Sequence, residues 1–136
     1  MKPLKRVVLK ISGEVMSGNG KTGFDKEAIQ FIAQEIHDAV KSTKCELAIV
    51  IGGGNLIRGS KLINEIGSTN VIADQAGMLA TIINGIILQD FLEKTHGIEV
   101  RTLSAIEVKA FTEPYIRRRA EAHRHRAIQR VRPVPL

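Results

Sequence analysis

Two glycine-rich turns with basic neighbours are the features of this sequence that could carry chemistry. Lys10 precedes the first turn, Ser12-Gly13, and Arg58 lies four residues after the second turn, Gly52–Gly54. Glycine lets backbone N–H groups approach an oxyanion closely, while lysine and arginine supply full positive charges. Two such turns suit two phosphate groups that meet end to end, as phosphoryl transfer requires. The pattern indicates phosphate binding, with ordinary tight turns of an α/β protein as the alternative.

Neither turn matches the common phosphate-binding motifs. The P-loop pattern G-x-x-x-x-G-K-[ST] does not occur in the sequence, and neither turn has the dinucleotide fingerprint. Both turns nevertheless directly follow β-branched apolar runs, which are typical of buried strands. In open α/β sheets, ligands bind at the carboxyl ends of the strands. The sequence therefore places both turns where such a fold binds its ligands.

The remaining pattern predicts the elements that must position these turns. Strands alternate with helices along the chain, which indicates right-handed crossovers and a mainly parallel sheet, an α/β fold. Asp25 is expected to cap one helix, and Asp74 to open a long apolar helix. The segment 17–24 is expected to be a flexible loop. The predicted strands are 5–11, 47–51 and 98–103, and the predicted helices are 26–42, about 57–66 and 76–94.

Charge divides the chain into two unequal parts. Residues 1–114 hold 13 basic and 13 acidic side chains, whereas residues 115–136 hold seven arginines and one glutamate, which accounts for the net charge of +6. Beyond residue 124 we expect no strand or helix, because the sequence there has no periodicity. An arginine-rich tail that binds nucleic acid is one interpretation, but the tail lacks the interleaved aromatic residues that single-strand binders use.

Composition places the chain among soluble globular proteins. Of its 136 residues, 43% are apolar and 25% are charged, which excludes wholesale disorder. The single cysteine, Cys45, cannot form an internal disulfide, as expected in a reducing cytoplasm. We expect no membrane-spanning segment, since no unbroken apolar run reaches the required ~18 residues. No histidine or cysteine cluster has metal-ligand spacing, so no metal-binding residue is predicted.

Three motifs in order make the interpretation more specific. They are Val7–Glu14, Ile49–Gly59 and Ala73–Gly85. Together they resemble the bacterial uridylate (UMP) kinases, a branch of the amino-acid kinase family, and the resemblance continues through Arg101–Ala105 to about residue 122. Carbamate, glutamate and aspartate kinases of the same family remain alternatives, although the continuation after the second glycine turn favours the uridylate branch.

The resemblance implies a fold, a reaction and partners. The fold is a three-layer α/β sandwich, and the reaction transfers the γ-phosphoryl group of ATP, bound with Mg²⁺, to UMP in pyrimidine nucleotide synthesis. A cytoplasmic homohexamer is implied, with GTP as an allosteric activator, and neither a membrane nor a nucleic acid is expected as a partner.

The resemblance also assigns roles to individual residues. Lys10 and Arg58 are the expected catalytic residues. Contacts to ATP are assigned to Lys10, Ile11, Ser12, Gly13, Gly54 and Arg58. Contacts to UMP are assigned to Gly53 and Asp74, with Asp74 facing the ribose hydroxyls. The allosteric GTP region is assigned to Gly18, Asn19, Gly20, Lys21, Thr22 and Gly23.

The sequence departs from the family in its last part. A Gly-Thr-Gly-Asn-Pro stretch that completes the UMP site in the family does not occur in it. We therefore expect residues 1–122 to be the N-terminal, UMP-binding half of a kinase domain, and residues 123–136 to be an arginine-rich tail without family resemblance. A reading-frame shift near codon 124 is the hypothesis that accounts for both, and it predicts a truncated, inactive chain.

Overall fold

The structure is a computed structural model that describes residue 2, residues 4–114 and the backbone of residues 131–135. Predictions for residues 115–130, which include a helical continuation after Pro114 and most of the arginine-rich tail, lie outside the described residues. The elements in chain order are β1 (Arg6–Ile11), a 3₁₀ helix (Gly13–Gly20), α1 (Lys26–Thr43), β2 (Glu46–Ile51), α2 (Gly59–Lys61), a π-helical turn (Leu62–Ile66), α3 (Asn70–His96), β3 (Leu103–Ser104), β4 (Glu113–Pro114) and β5 (Val131–Pro135).

The first two strands pair with each other in a parallel sheet, as predicted. β1 pairs with β2 in a register that runs from Arg6 opposite Glu46 to Ile11 opposite Ile51. Their β-branched residues suit a pleated, half-buried surface. Because the two strands end at the same level, the turns that follow them begin side by side.

A third strand extends this sheet where none was expected. β5 pairs with β2 in parallel, from Leu47 opposite Val131 to Ile51 opposite Pro135. The prediction that residues after 124 contain no strand is therefore wrong for residues 131–135. Proline has no N–H to donate, so the prolines at 133 and 135 are compatible with an edge strand, and β5 lies at the edge of the order β1-β2-β5.

The strand predicted over residues 98–103 does not join the main sheet. The only strand longer than a single bridge there is β3, which pairs in parallel with β4 in a separate two-stranded sheet. Side chains of α3 take the backbone groups that a sheet would have paired. The Val100 N–H donates to Glu93 Oε1 at 3.3 Å and the Thr102 N–H donates to Gln89 Oε1 at 3.1 Å.

The two long helices begin at polar caps, one predicted and one not. The Asp25 carboxylate accepts from the Ala28 N–H at 2.8 Å and begins α1, as expected. α3 begins at Thr69, whose hydroxyl accepts from the Ile72 N–H at 3.3 Å. The expectation that Asp74 opens this helix is wrong, since Asp74 lies inside it.

The core lies between the sheet and these two helices. Alternate residues of β2 point into it, and Ile49, Leu88 and Leu92 are completely buried there. The opposite face of the sheet is open among the described residues, because Val8 is 73% exposed. The α/β class with a parallel sheet is therefore confirmed, and the described residues form the sheet and one helical layer.

α3 is long and apolar, although polar residues interrupt its apolar run before it reaches 18 residues. This helix contains an 18-residue window with a mean hydropathy of 1.6 and is long enough to cross a membrane. Its residues Leu88 and Leu92 are nevertheless buried against α1 and the sheet. Core packing accounts for the apolar residues on one side of α3, whereas Val71, Leu79 and Ile83 are exposed.

Candidate functional site

The two glycine turns meet at the carboxyl ends of β1 and β2. The Gly52 N–H donates to the Ile11 carbonyl at 2.9 Å, so pairing between the two chain segments continues into the second turn. A Cβ placed on Gly13 would lie 2.6 Å from the Gly52 carbonyl oxygen and 2.7 Å from the Gly54 nitrogen. No side chain fits at Gly13, because both neighbouring atoms belong to the backbone.

The second turn packs closely against α3. A Cβ placed on Gly53 would lie 2.7 Å from the Ala80 Cβ and 3.0 Å from the Gly77 carbonyl oxygen. Neither Gly13 nor Gly53 has a positive φ angle. These glycines are therefore required by the close approach of neighbouring chain segments, and not by unusual dihedral angles.

The two predicted cations lie on either side of these turns. Lys10 is exposed in the next-to-last position of β1, opposite Val50 in the register. Arg58 follows the second turn, and its Nη2 lies 3.0 Å from Oε1 of Glu14. The side chains of Arg58 and Glu14 are 46% and 56% exposed, so this ion pair is solvated and contributes little to stability. Glu14 was not among the predicted site residues.

Asp74 lies on the helix that the second turn contacts. It is exposed, and Gly77 and Thr81 follow it at helical spacings of three and seven residues, which places all three on one side of α3. The Gly77 oxygen and the Thr81 nitrogen are the backbone atoms nearest to Gly53. The structure thus brings the helix face of Asp74 to the second turn, although Asp74 does not cap the helix.

The region from Gly18 to Gly23 is more regular than predicted. The 3₁₀ helix continues from Gly13 to Gly20 with a kink at Gly18, and its residues Met16 and Ser17 are buried. The expectation of a flexible loop over residues 17–24 is therefore wrong for its first half, because buried Met16 anchors the segment to the core. Gly18 and Gly23 have φ angles of 55° and 75°, which favour glycine.

Two buried asparagines connect the second glycine turn to α3, and sequence reasoning missed both. Asn55 follows the second turn, and Asn84 lies in the middle of α3. The Asn84 amide donates to the Gly52 carbonyl at 2.7 Å and to Asn55 Oδ1 at 2.6 Å. The available signal was the presence of an asparagine inside an apolar helix, where its side chain needs a partner.

Titratable side chains away from the glycine turns make local contacts among the described residues. The described residues contain no group of three or more histidine, cysteine, aspartate or glutamate side chains that could hold a metal ion. The rings of His37 and His96 stack with their centroids 4.7 Å apart. Two hydrogen bonds, the larger contribution from Gln34 and the smaller from His37, lower the pKa of the exposed Asp38 below its usual range.

Comparison with known proteins identifies similar chains. A family model described as the amino acid kinase family matches residues 5–134. Proteins named uridylate kinase from Rubrobacter xylanophilus and Campylobacter jejuni subsp. doylei are 47% identical over 121 residues and 45% identical over 123 residues. These alignments cover 89% and 90% of this chain but only 47% and 51% of the two relatives.

Solved structures give the same result for the fold. The crystal structure of UMP kinase from Bacillus anthracis matches 98% of this chain with a TM-score of 0.88 and 36% identity, and UMP kinase from Ureaplasma parvum matches 95% with a TM-score of 0.83 and 30% identity. This chain covers 53% of each of those chains. It therefore spans about half the length of the relatives it matches. The family match extends past residue 122, where we expected resemblance to end; the boundary there stays a prediction.

Proposed function

The chain belongs to the amino acid kinase family, and on that premise we propose that its residues form the phosphate-binding part of a uridylate kinase, which converts ATP and UMP to ADP and UDP. One observation carries the proposal. Two glycine turns meet at the carboxyl ends of parallel strands, with Lys10 and Arg58 beside them, in a chain 45–47% identical to proteins named uridylate kinase. We call this arrangement of Ser12-Gly13, Gly52–Gly54, Lys10 and Arg58 the phosphate cradle.

The cradle suits phosphoryl transfer because it positions and neutralises charge. In our proposal the first turn, Ile11–Gly13, contacts the ATP phosphates and Lys10 stabilises the transferred phosphoryl group. Gly53 contacts UMP, while Gly54 and Arg58, which the resemblance assigns to ATP, lie where the phosphates of the two nucleotides meet, so that Arg58 also faces the UMP phosphate. Since the two turns are joined by a hydrogen bond of 2.9 Å, the two nucleotides would be held with their phosphates adjacent.

Glu14 forms an ion pair with Arg58 of the cradle. This carboxylate is paired with Arg58 at 3.0 Å, and both side chains are half exposed. A nucleotide phosphate can therefore replace Glu14 as the partner of Arg58 without leaving a charge buried and unpaired.

Asp74 is proposed to accept hydrogen bonds from the ribose hydroxyls of UMP. Support comes from its exposure and from its place on the α3 face that approaches Gly53. A carboxylate can accept from both hydroxyls of a ribose, as acidic groups do in other nucleotide sites.

Mg²⁺ enters this proposal as part of its ATP complex. The described residues offer no cluster of three metal ligands, and Mg²⁺ commonly binds through substrate phosphates and water with few carboxylates. The ion would neutralise phosphate charge, while the chain's own residues bind and orient the nucleotides.

Three further expectations are proposals of the same kind. Residues Gly18–Gly23 would bind GTP as an activator, and their exposed positions Asn19, Gly20 and Lys21 are accessible to a ligand. The protein would act in the cytoplasm. A homohexamer is supported by an apolar stripe on α3 that includes Val71, Leu79 and Ile83, which are 64%, 51% and 46% exposed.

A chimera tests the function without depending on the length of this chain. Residues 5–122 replace the matching segment of the uridylate kinase from R. xylanophilus, and phosphoryl transfer from ATP is measured to UMP, carbamate, glutamate and aspartate. We expect transfer to UMP alone. Transfer to another acceptor would assign the chain to a different branch of the family, and a folded chimera without transfer would contradict the proposal.

A further inference from the structure

We propose that Asn55 and Asn84 are positioning residues that set the spacing of the phosphate cradle and connect it to the segment ending at Gly23. The expected effect on nucleotide binding rests on the proposed function, whereas the structural role of the two asparagines can be tested without nucleotide. Neither asparagine is expected to touch substrate.

The two side chains form a reciprocal amide pair. Asn84 Nδ2 donates to Asn55 Oδ1 at 2.6 Å, and Asn55 Nδ2 donates to Asn84 Oδ1 at 3.2 Å. Asn55 is 1% exposed and Asn84 is 0% exposed, so water does not replace these bonds. A buried donor or acceptor that loses its partner is costly, and the pair therefore has one favoured arrangement.

The pair contacts both turns of the cradle. Asn84 Nδ2 also donates to the Gly52 carbonyl at 2.7 Å, which fixes the start of the second turn against α3. Asn55 Oδ1 lies 2.8 Å from the position of a Cβ on Gly13, so the amide forms the surface against which the first turn packs. The buried amide pair thus contacts both phosphate-binding turns and, together with the hydrogen bond between Gly52 and Ile11, fixes their spacing.

Asn55 extends this connection to Gly23 with two hydrogen bonds. Its Nδ2 donates to the Gly23 carbonyl at 2.9 Å, and its backbone carbonyl accepts from the Gly23 N–H at 2.8 Å. Gly23 ends the segment proposed to bind GTP. A change in the conformation of that segment would therefore reach the cradle through Asn55.

An Asn84→Asp substitution distinguishes positioning from simple packing. A protonated carboxyl retains one donor for the Gly52 carbonyl and an acceptor for Asn55, whereas an ionised carboxylate has no donor and repels both neighbouring oxygens. Burial raises the pKa of a carboxyl, so lowering the pH restores two of the three native hydrogen bonds in this variant, the donation to the Gly52 carbonyl and the acceptance from the Asn55 amide. Thr102→Val is the matched control, because Thr102 is buried and bonds to the Gly85 carbonyl of α3 but contacts neither turn.

The first experiment is nucleotide-free NMR of the 136-residue chain labelled with ¹⁵N-glycine. The chain has 12 glycines, so the spectrum can be assigned by substitution. In Asn84→Asp we expect amide shifts at about pH 8 in Gly13, Gly23 and Gly52–Gly54, besides Gly85 next to the substituted residue, and we expect these shifts to be reversed at about pH 5. Gly67 and Gly97 should not move. Shifts that are absent or spread over all glycines would overturn the proposal, as would failure of both Asn84→Asp and Asn55→Ser to fold at any pH.

The second experiment is calorimetric titration of the same folded samples with UMP. We expect Asn84→Asp to bind UMP about ten-fold or more weakly at high pH and to recover at low pH, because an unpaired buried donor or acceptor is costly. Thr102→Val should bind within about two-fold of the original chain. Equal affinity for Asn84→Asp and Thr102→Val would overturn the inference. Localised glycine shifts in a chain that binds no UMP would support positioning by the amide pair and reject the proposed function.

Discussion

Gly53 and Gly77 differ in the space that is available for a methyl group, and the sequence alone does not show this difference. Its Cβ would lie 2.7 Å from Ala80, whereas a Cβ on Gly77, one helical turn away from Ala80, has nothing within 4 Å. We expect Gly53→Ala to destabilise the chain by about 1–3 kcal/mol through overpacking. Gly77→Ala should stabilise it by about 0.5–1 kcal/mol, since alanine is the better helix former. Urea unfolding of both variants checks the signs, and equal effects would contradict the close approach.

Lys10 is the residue whose charge should matter most to turnover. In the chimera described above, Lys10→Ala should lower kcat about 10²–10³-fold with a smaller change in KM, because a preorganised charge acts mainly in the transition state. Lys5→Ala removes the same charge from the other end of the β1 region and serves as the control. Near-normal turnover of the Lys10→Ala chimera would remove Lys10 from the mechanism.

At the scale of elements, the beginning of α3 separates a structural role from a binding role. Thr69 caps the helix and Asp74 does not. Thr69→Ala should therefore reduce stability by about 1 kcal/mol, with little effect on nucleotide binding.

Asp74→Asn should raise the KM for UMP more than the KM for ATP in the chimera. Asp90→Asn, which changes an exposed carboxylate of the same helix, is the control. A larger increase in the KM for ATP than in the KM for UMP would contradict the assignment of Asp74 to UMP.

Local patterns predicted the elements that depend on local signals. The strands at residues 6–11 and 46–51, the helix after Asp25 and the position of both turns follow from apolar runs, a cap and glycines. The strand expected at residues 98–103 is short because Glu93 and Gln89 of α3 take its backbone N–H groups. Such long-range pairing has no signature in the segment itself. An asparagine inside an apolar helix signals that Asn84 needs a partner, but not that this partner is Asn55, which lies 29 residues away in the sequence.

At the scale of the whole molecule, the chain spans about half the length of its relatives, and this limits the activity that we expect from it. The chain covers 47–53% of the matched relatives, and the sheet face that carries Val8 is open among the described residues. Orientation of both nucleotides lowers the activation free energy of phosphoryl transfer by several kcal/mol. Each 1.4 kcal/mol or so corresponds to about a ten-fold change in rate. We expect residues 1–136 alone to form no UDP from ATP and UMP, while the chimera does. Turnover above about 1 s⁻¹ by the 136-residue chain would contradict this expectation.

The most direct test of the phosphate cradle compares UMP with uridine, which differs only by the phosphate group. Both ligands are titrated into the folded 136-residue chain and into an Arg58→Ala variant, with Lys61→Ala as a control that removes a nearby exposed charge. We expect the chain to bind UMP at least about ten-fold more tightly than uridine, and this preference to be lost in Arg58→Ala and kept in Lys61→Ala. Equal binding of UMP and uridine by the unsubstituted chain, or a preference that survives Arg58→Ala, would contradict the account.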